Sequence, residues 1–234
     1  MRSYLKKRIL VLGGSSDIAK ELIKNIDLNK YIVFLHYNKH KPKFKQNEIK
    51  FIKKDFASLN KNNIKNSLKI FKNFDVIINL IGYMDNKSYF KSNYESLLQS
   101  LNANFLAPLF VIKNSINHMK KNKFGRIINC SSIGTKFGGG KNTFNYSLSK
   151  HCSEFIPKEL RKITNKNVLI NNIKMGVVNT KIHQKISKKI ISNRVKLIPA
   201  KRMGKASEII KLITFLINEN SYISSETINI SGGE

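Results

Sequence analysis

The sequence has few cysteines, few acidic residues and no long apolar stretch. Its 234 residues include two cysteines, Cys130 and Cys152, which lie in no metal-ligand spacing and are too few for a disulfide framework. No stretch approaches the roughly 18 consecutive apolar residues of a membrane span. The apolar run near the amino terminus is short, and Gly13-Gly14 follow it without a small-residue cleavage site, so we predict a strand there and no signal peptide. These absences argue against a disulfide-rich secreted domain or a membrane protein and favour a reducing cytoplasm.

Acidic residues are scarce: the sequence has 14 Asp and Glu but 43 Lys and Arg, which gives a formal net charge of +29. Such a charge favours polyanionic partners, nucleic acid first. The lysines, however, are scattered over nearly every segment, arginine is scarce, and no aromatic stacking motif is interleaved with them. The charge pattern therefore argues against a nucleic-acid interface, and it leaves attraction of anionic small molecules as the milder consequence.

No linker rich in Pro, Gly or Ser divides the chain, so we predict a single domain over residues 1–234. Short runs rich in Ile and Val alternate with segments of helical periodicity, a pattern typical of a parallel sheet that is covered on both faces. We predict an α/β fold with a doubly wound, seven-stranded parallel sheet. The strands are predicted at 8–13, 31–37, 48–53, 75–82, 125–132, 167–174 and 226–231, and the helices at 18–26, 59–71, 94–119, 146–163 and 207–216.

Ligands of such sheets lie beyond the carboxyl ends of the strands, so the residues after each strand are the candidates for a site. The first strand is followed by "LGGSSDIAKEL", a Gly-rich turn into a helix, which suits close approach to a phosphate. The candidate cofactor residues here are Gly13, Ser15, Ser16, Asp17 and Ile18. An ordinary turn with Ser16 or Asp17 as the helix N-cap explains the same stretch.

The second strand ends in "HYNKHK", without the carboxylate that would bind the ribose hydroxyls of NAD. No Asp or Glu occurs between Asp27 and Glu48. Tyr37, Asn38 and Lys39 suit a 2′-phosphate instead, which favours NADP(H) over NAD(H), although Lys39 also fits an ordinary solvated lysine. The later strand ends add candidates for contact with adenine and ribose, each of which also fits a plain turn: Asp55, Phe56, Asn79 and Gly82.

The order of the motifs is more specific than any one of them. The chain has, in this order, a Gly-rich turn, Asn and Gly after the fourth strand, Ser132 after the fifth, and Tyr146 four residues before Lys150. With these motifs it resembles the short-chain dehydrogenase/reductase family over essentially its whole length. The resemblance implies a Rossmann fold and NADP(H)-dependent reduction of a carbonyl or oxidation of an alcohol. It also implies that Asn104 is catalytic and that Gly176, Val178 and Thr180 contact the cofactor.

Each catalytic candidate has a chemical role. Tyr146 would act as the acid/base, and the Lys150 cation one helical turn away would lower the pKa of its phenol. Ser132 would donate a hydrogen bond to the substrate carbonyl. Because strand side chains alternate between faces, we expect only one of Ser131 and Ser132 to face the site, and the resemblance favours Ser132, whose distance to Tyr146 is closer to the family spacing. Asn104 would hold a water that links Lys150 to solvent.

Several residues depart from the family pattern. Asp17 and Ala19 stand at two glycine positions, and Met175 stands at a proline position. Pro157 falls inside the predicted helix that begins near Tyr146, and we expect it to kink that helix. In the family this helix builds a dimer interface, and we expect a homo-oligomer, a dimer or a tetramer.

The substrate is left open by these motifs. The family resemblance, with Lys123 and Lys166 before the fifth and sixth strands, suggests a 3-oxoacyl thioester on acyl carrier protein as the substrate. A sugar nucleotide or another small carbonyl compound is an alternative substrate. A non-catalytic binding module is the alternative to an enzyme. The segment 179–199 has Ile182, Ile186, Ile190 and Val195 at helical spacing and is similar to the family's substrate lid, in which His183 contacts either substrate or solvent. His36 and His40 lie at a strand end, and we expect no metal site there.

Overall fold

The computed structural model describes residues 6–181 and 188–234. Within them the chain forms one parallel sheet of seven strands in the order β3-β2-β1-β4-β5-β6-β7. The predicted α/β fold class is confirmed, and every strand except the fourth lies within one residue of its predicted bounds. The strands are β1 (Lys7–Leu12), β2 (Tyr31–Tyr37), β3 (Ile49–Lys53), β4 (Val76–Asn79), β5 (Gly125–Ser132), β6 (Val168–Met175) and β7 (Thr227–Ile230).

The fourth strand is shorter than the predicted 75–82, because it ends at Asn79. The Asn79 side chain accepts a hydrogen bond from the backbone N–H of Ile81 at 3.2 Å. A side-chain acceptor that bonds the backbone two residues ahead turns the chain away from the strand. The residues after Asn79 therefore form the turn that lies over the carboxyl end of the sheet.

Helices cover both faces of the sheet, and alternate side chains of each strand enter one of two cores. In β1, Ile9 and Val11 belong to one core, and Leu10 and Leu12 belong to the other. The first core is closed by α1 and α8, and the second is closed by α2 and α4. The helices are α1 (Asp17–Asn25), α2 (Ile64–Leu68), α3 (Tyr94–Leu101), α4 (Ala107–Lys121), α5 (Phe144–Ser153), α6 (Lys158–Lys162), α7 (Lys188–Leu197) and α8 (Ala206–Asn218).

The long helix predicted over 94–119 is interrupted. A π-helical segment, Asn102–Leu106, joins α3 to α4, and the N–H of Ala107 donates to the carbonyl of Asn102. This i→i+5 pattern inserts one residue into a turn, which changes the direction of the side chains there, and such bulges are frequent at functional sites. Asn104 lies in this segment and is fully buried.

The predicted kink at Pro157 is wrong, because the helix stops before it. Helix α5 ends at Ser153, and Pro157 has an extended backbone (φ −59°, ψ 146°) ahead of α6. A proline disfavours helical geometry in the residue that precedes it and cannot donate a backbone hydrogen bond. The predicted helix 146–163 is therefore two helices with a short connection.

The predicted lid is only partly described. Ile182, His183 and Ile186 lie outside the described residues, whereas Ile190 and Val195 belong to α7. Among the helices of the described ranges, none is both long enough and apolar enough to cross a membrane.

Candidate active site

A cleft of about 760 Å³ opens at the carboxyl ends of the strands. Its walls include residues that follow β1 and β4, which are neighbours where the strand order reverses, the place where doubly wound sheets bind ligands. Most of the predicted site residues line this cleft together: Gly13, Ser15, Ser16, Asp17, Ile18, Asn38, Asp55, Phe56, Gly82, Ser132, Tyr146, Lys150, Gly176, Val178 and Thr180. Lys39, Asn79 and Asn104 are not part of its lining.

The serine, tyrosine and lysine of the predicted catalytic set are brought together by α5 and the end of β5. Tyr146 and Lys150 lie one turn apart on α5, and the Ser132 hydroxyl donates a hydrogen bond to the Tyr146 phenol oxygen. Lys150 is 2% exposed, and its Nζ donates to the backbone carbonyls of Ile81 (2.6 Å) and Cys130 (2.5 Å). The ammonium group is therefore held by the turn after β4 and by β5.

Burial dominates the protonation of this set. It lowers the pKa of Lys150 to about 8, against the opposing effects of Cys130 and Glu154, which raise it. Burial likewise raises the pKa of the Tyr146 phenol, while the hydrogen bond from Ser132 acts in the other direction. The Tyr146 pKa is therefore raised and not lowered as expected, because removal of the phenol from water is the largest influence on it.

Asn104 holds a loop at the edge of the cleft. Its Oδ1 accepts from the N–H of Tyr83 (2.8 Å), and its Nδ2 donates to the Tyr83 carbonyl (2.9 Å) and to Ser149 Oγ (2.8 Å). Both amide hydrogens are thus used within the protein. The role predicted for Asn104, holding a water beside Lys150, stays a prediction.

The turn after β1 depends on a glycine and on a histidine that the sequence patterns did not single out for the cleft. Gly13 has φ +80°, and a Cβ at this position would lie 2.9 Å from the carbonyl carbon and oxygen of Leu80. Its N–H donates to His36 Nδ1 at 3.3 Å, and His36 Nε2 lies 2.9 Å from the Lys54 carbonyl. His36 stacks on Phe56 with ring centroids 4.2 Å apart, and burial lowers its pKa to about 4.

These contacts require a neutral His36 imidazole that accepts at Nδ1 and donates at Nε2. The ring therefore ties the glycine turn to the segment after β3. The only sequence signal was the position of His36 near the end of a strand, where we expected no metal site and assigned no other role.

Ser16 and Asp17, at the start of α1, have different partners. The Ser16 hydroxyl accepts from the Ala19 N–H at 3.1 Å, so Ser16 is the N-cap, as one of the two sequence interpretations predicted. Asp17 accepts from the Lys20 ammonium (3.3 Å) and from the N–H of Lys181 (2.8 Å). Burial raises the pKa of Asp17, but the bonds from Lys181 and Lys20 outweigh this and the net pKa is lowered. Its carboxylate is therefore an anion already bound by two donors.

The end of β2 presents Tyr37 and Asn38 to the cleft, whereas Lys39 is exposed outside its lining. Lys20, from the first turns of α1, also lines the cleft, although it follows no strand directly and was not predicted. Its signal was the i, i+3 spacing to Asp17.

Comparison with known proteins agrees with this geometry. A family model described as Enoyl-(Acyl carrier protein) reductase matches residues 55–234. The 3-oxoacyl-(acyl-carrier-protein) reductase FabG of Buchnera aphidicola subsp. Baizongia pistaciae is 32% identical over 169 residues, which cover 70% of this chain and 69% of that protein. FabG of Aquifex aeolicus is 28% identical over 227 residues, which cover 96% of this chain and 86% of that protein.

A crystal structure of a 3-oxoacyl (acyl-carrier-protein) reductase from Agrobacterium tumefaciens C58 with NADP bound has the same fold. Its TM-score to this chain is 0.80 at 18% identity, with 97% of this chain and 94% of that chain covered. The chain belongs to the short-chain dehydrogenase/reductase family, a family of NAD(P)-dependent oxidoreductases. This confirms the resemblance, the Rossmann fold and the enzyme class predicted from the order of the motifs.

Proposed function

We propose that this protein is an NADP(H)-dependent reductase that converts the keto group of a 3-oxoacyl thioester, carried on acyl carrier protein, into a hydroxyl group. The observation that carries the proposal is the convergence of Ser132, Tyr146 and Lys150 in the same cleft as the glycine turn before α1. The names of the curated relatives supply the substrate class.

The cleft fits a dinucleotide phosphate. The start of α1 faces it, and helix N-termini attract phosphate through their unpaired N–H groups and dipole. Gly13 lets the backbone turn where a side chain would collide with Leu80. Tyr37 and Asn38 line the end of β2, where a ribose-binding carboxylate would favour NAD over NADP. When bound, the reduced nicotinamide would supply the hydride.

The residues of the chain would supply the proton. A raised pKa keeps the Tyr146 phenol protonated at neutral pH, so it is ready to donate to the oxygen of a carbonyl that is being reduced. The Ser132 hydroxyl would turn from Tyr146 to that oxygen and stabilise the charge that develops on it. The Lys150 cation, one turn below, would stabilise the phenolate that remains. Asn104 would fix the loop at Tyr83.

The proposed carrier is acidic, and the positive charge of this chain favours its approach. Lys123 and Lys166 are exposed, and they precede β5 and β6 at the amino ends of the strands. That edge of the sheet is opposite to the cleft of the same chain. These two lysines would therefore serve a carrier bound at the cleft of a neighbouring subunit, which requires a homo-oligomer.

We also propose that residues 1–234 form one domain, that the protein assembles as a dimer or tetramer, and that it works in the cytoplasm. Exposed apolar side chains on α4 and just after α5 support the assembly: Phe110 is 38% exposed and Phe155 is 72% exposed. The two free cysteines agree with a reducing compartment.

Titration of the protein with NADPH and with NADH, followed by a turnover assay with 3-oxoacyl thioesters, tests this function. We expect NADPH to bind more tightly than NADH and acetoacetyl thioesters to be reduced. A preference for NADH would contradict the cofactor assignment and leave the catalytic one standing. Turnover of a sugar nucleotide but of no thioester would contradict the substrate assignment. If the protein bound neither cofactor, the proposed enzymatic function would be overturned.

A further inference from the structure

Glu154 lies one turn beyond Lys150, immediately after the last residue of α5. Its side chain is only 13% exposed. A carboxylate that is removed from water to this degree is costly unless donors surround it. The carboxylate helps to raise the pKa of Lys150, but it touches no reacting group, so its direct partners have to explain why it is buried here.

Three donors from three different segments meet at this carboxylate. The Ser131 hydroxyl donates to Oε1 at 2.5 Å, and the Thr135 hydroxyl lies 2.8 Å from the same oxygen. The Lys174 ammonium lies 3.0 Å from Oε2. Glu154 thus connects the end of β5, the turn that follows it, and the end of β6.

The two hydroxyl partners lie on either side of Ser132 along the chain. Ser131 is the preceding residue and is 1% exposed. The Thr135 hydroxyl also lies 2.9 Å from the backbone carbonyl of Ser132, so its one hydrogen is shared between this carbonyl and Glu154 Oε1. The Ser132 hydroxyl itself accepts from the Gly134 N–H at 3.2 Å. The backbone that aims Ser132 into the cleft is therefore held by the Glu154 carboxylate from behind.

We propose that Glu154 is a positioning residue for Ser132, acting through charge-assisted hydrogen bonds to Ser131 and Thr135. The inference rests on the proposed reductase function and adds to it a residue outside the reacting set. Lys174 has a separate part in this arrangement, because it compensates the charge of the carboxylate at Oε2, whereas both hydroxyls bond to Oε1. The hydrogen-bond acceptor and the ion pair can therefore be removed separately.

Three variants separate positioning from plain stability. Glu154→Leu removes the acceptor and the charge, Glu154→Gln keeps one oxygen as an acceptor for the hydroxyls, and Lys174→Met removes only the ion pair. For each variant we would measure kcat and KM with an acetoacetyl thioester, the Kd of NADPH, and the melting temperature.

We expect kcat of Glu154→Leu to fall by up to about 100-fold with an unchanged NADPH Kd, as follows from misplacement of a catalytic group by a fraction of an ångström to an ångström. Glu154→Gln should recover most of that loss, and Lys174→Met should lower the melting temperature while it keeps kcat within about threefold of the wild type.

Two results would overturn the proposal in different ways. If Glu154→Leu keeps the kcat of the wild type, or if kcat falls in all three variants only in proportion to the melting temperature, Glu154 does not position Ser132. If the wild-type protein reduces no carbonyl compound, the proposed function itself fails, and the role of Glu154 in it fails as well.

Discussion

Asn104 and Tyr83 are joined by two hydrogen bonds between one side-chain amide and one backbone residue, at 2.8 Å and 2.9 Å. The pair connects the π-helical segment to the loop after β4. The Asn104 side chain is fully buried and Tyr83 is partly buried, so loss of the amide would leave both backbone groups of Tyr83 without their protein partner.

Replacement of Asn104 by Leu should therefore destabilise the protein by about 1–3 kcal/mol, since two partly buried backbone groups lose their partners. Urea denaturation measures the effect, with the exposed Asn62→Leu as the control for the change of residue type. We expect kcat to fall as well, because the loop borders the cleft. An Asn104→Leu protein as stable as the control would show that the bond pair contributes little.

Removal of the Tyr146 hydroxyl should abolish most of the turnover. Tyr146→Phe keeps the ring and its packing but has no proton to donate, so we expect a loss of about 10²–10⁴-fold in kcat. The Kd of NADPH should stay within about twofold, because this change acts on the chemical step. Single-turnover kinetics and fluorescence titration measure the two quantities, and full activity in this variant would remove Tyr146 from the mechanism.

Turnover should decrease as the pH rises through the pKa of Lys150. Burial brings this pKa to about 8, and a lysine is a cation below its pKa and neutral above it. The cation that stabilises the Tyr146 phenolate is therefore present at neutral pH and lost on the alkaline side. The pH profile of kcat should therefore fall on the alkaline side, and Lys150→Arg should remove this alkaline decrease if the variant stays active. A flat profile between neutral pH and about pH 10 would contradict this role.

Gly13→Ala should disturb the turn before α1 in two ways, through an unfavourable φ and through collision with Leu80. Gly138 provides a matched control, because it has φ +70° and no atom within 4 Å of the place a Cβ would occupy, whereas Gly13 has φ +80° and the Leu80 carbonyl 2.9 Å away. Both alanine variants should lose about 1 kcal/mol of stability for the left-handed backbone. Gly13→Ala should lose more and should also bind NADPH more weakly, which thermal melts and titration would measure.

The sheet was predictable because its strands are buried on both faces and read as continuous apolar runs, as "RILVL" does. The interruption at Asn102–Leu106 was not, because one extra residue in a turn leaves the apolar periodicity of a long helix nearly intact. Pro157 was noticed, but its effect was assigned as a kink, although the residue before a proline tends to leave helical geometry.

The active site, like the fold, was predictable only in part. Ser132, Tyr146 and Lys150 are close in sequence or follow a strand, so their meeting in one cleft could be anticipated. Glu154 and His36 could not be assigned a place, because their roles come from partners that only the folded chain brings near them. The pKa of Tyr146 was misjudged for a related reason, since the depth of burial is not encoded in the spacing of two residues.

The π-helical segment takes up one extra residue within a single wide turn, and Asn104 lies in that turn. Deletion of one residue from Asn102–Leu106 would let the backbone close into a continuous α-helix, with every bond of the regular type. The wide turn absorbs its extra residue without changing the phase of its flanks, so α3 and α4 would keep their buried faces against the sheet, whereas Asn104 would change direction and lose its bonds to Tyr83. A more regular helix would thus preserve the packing against the sheet and cost the loop beside the cleft its anchor, so we expect this deletion to lower turnover more than stability.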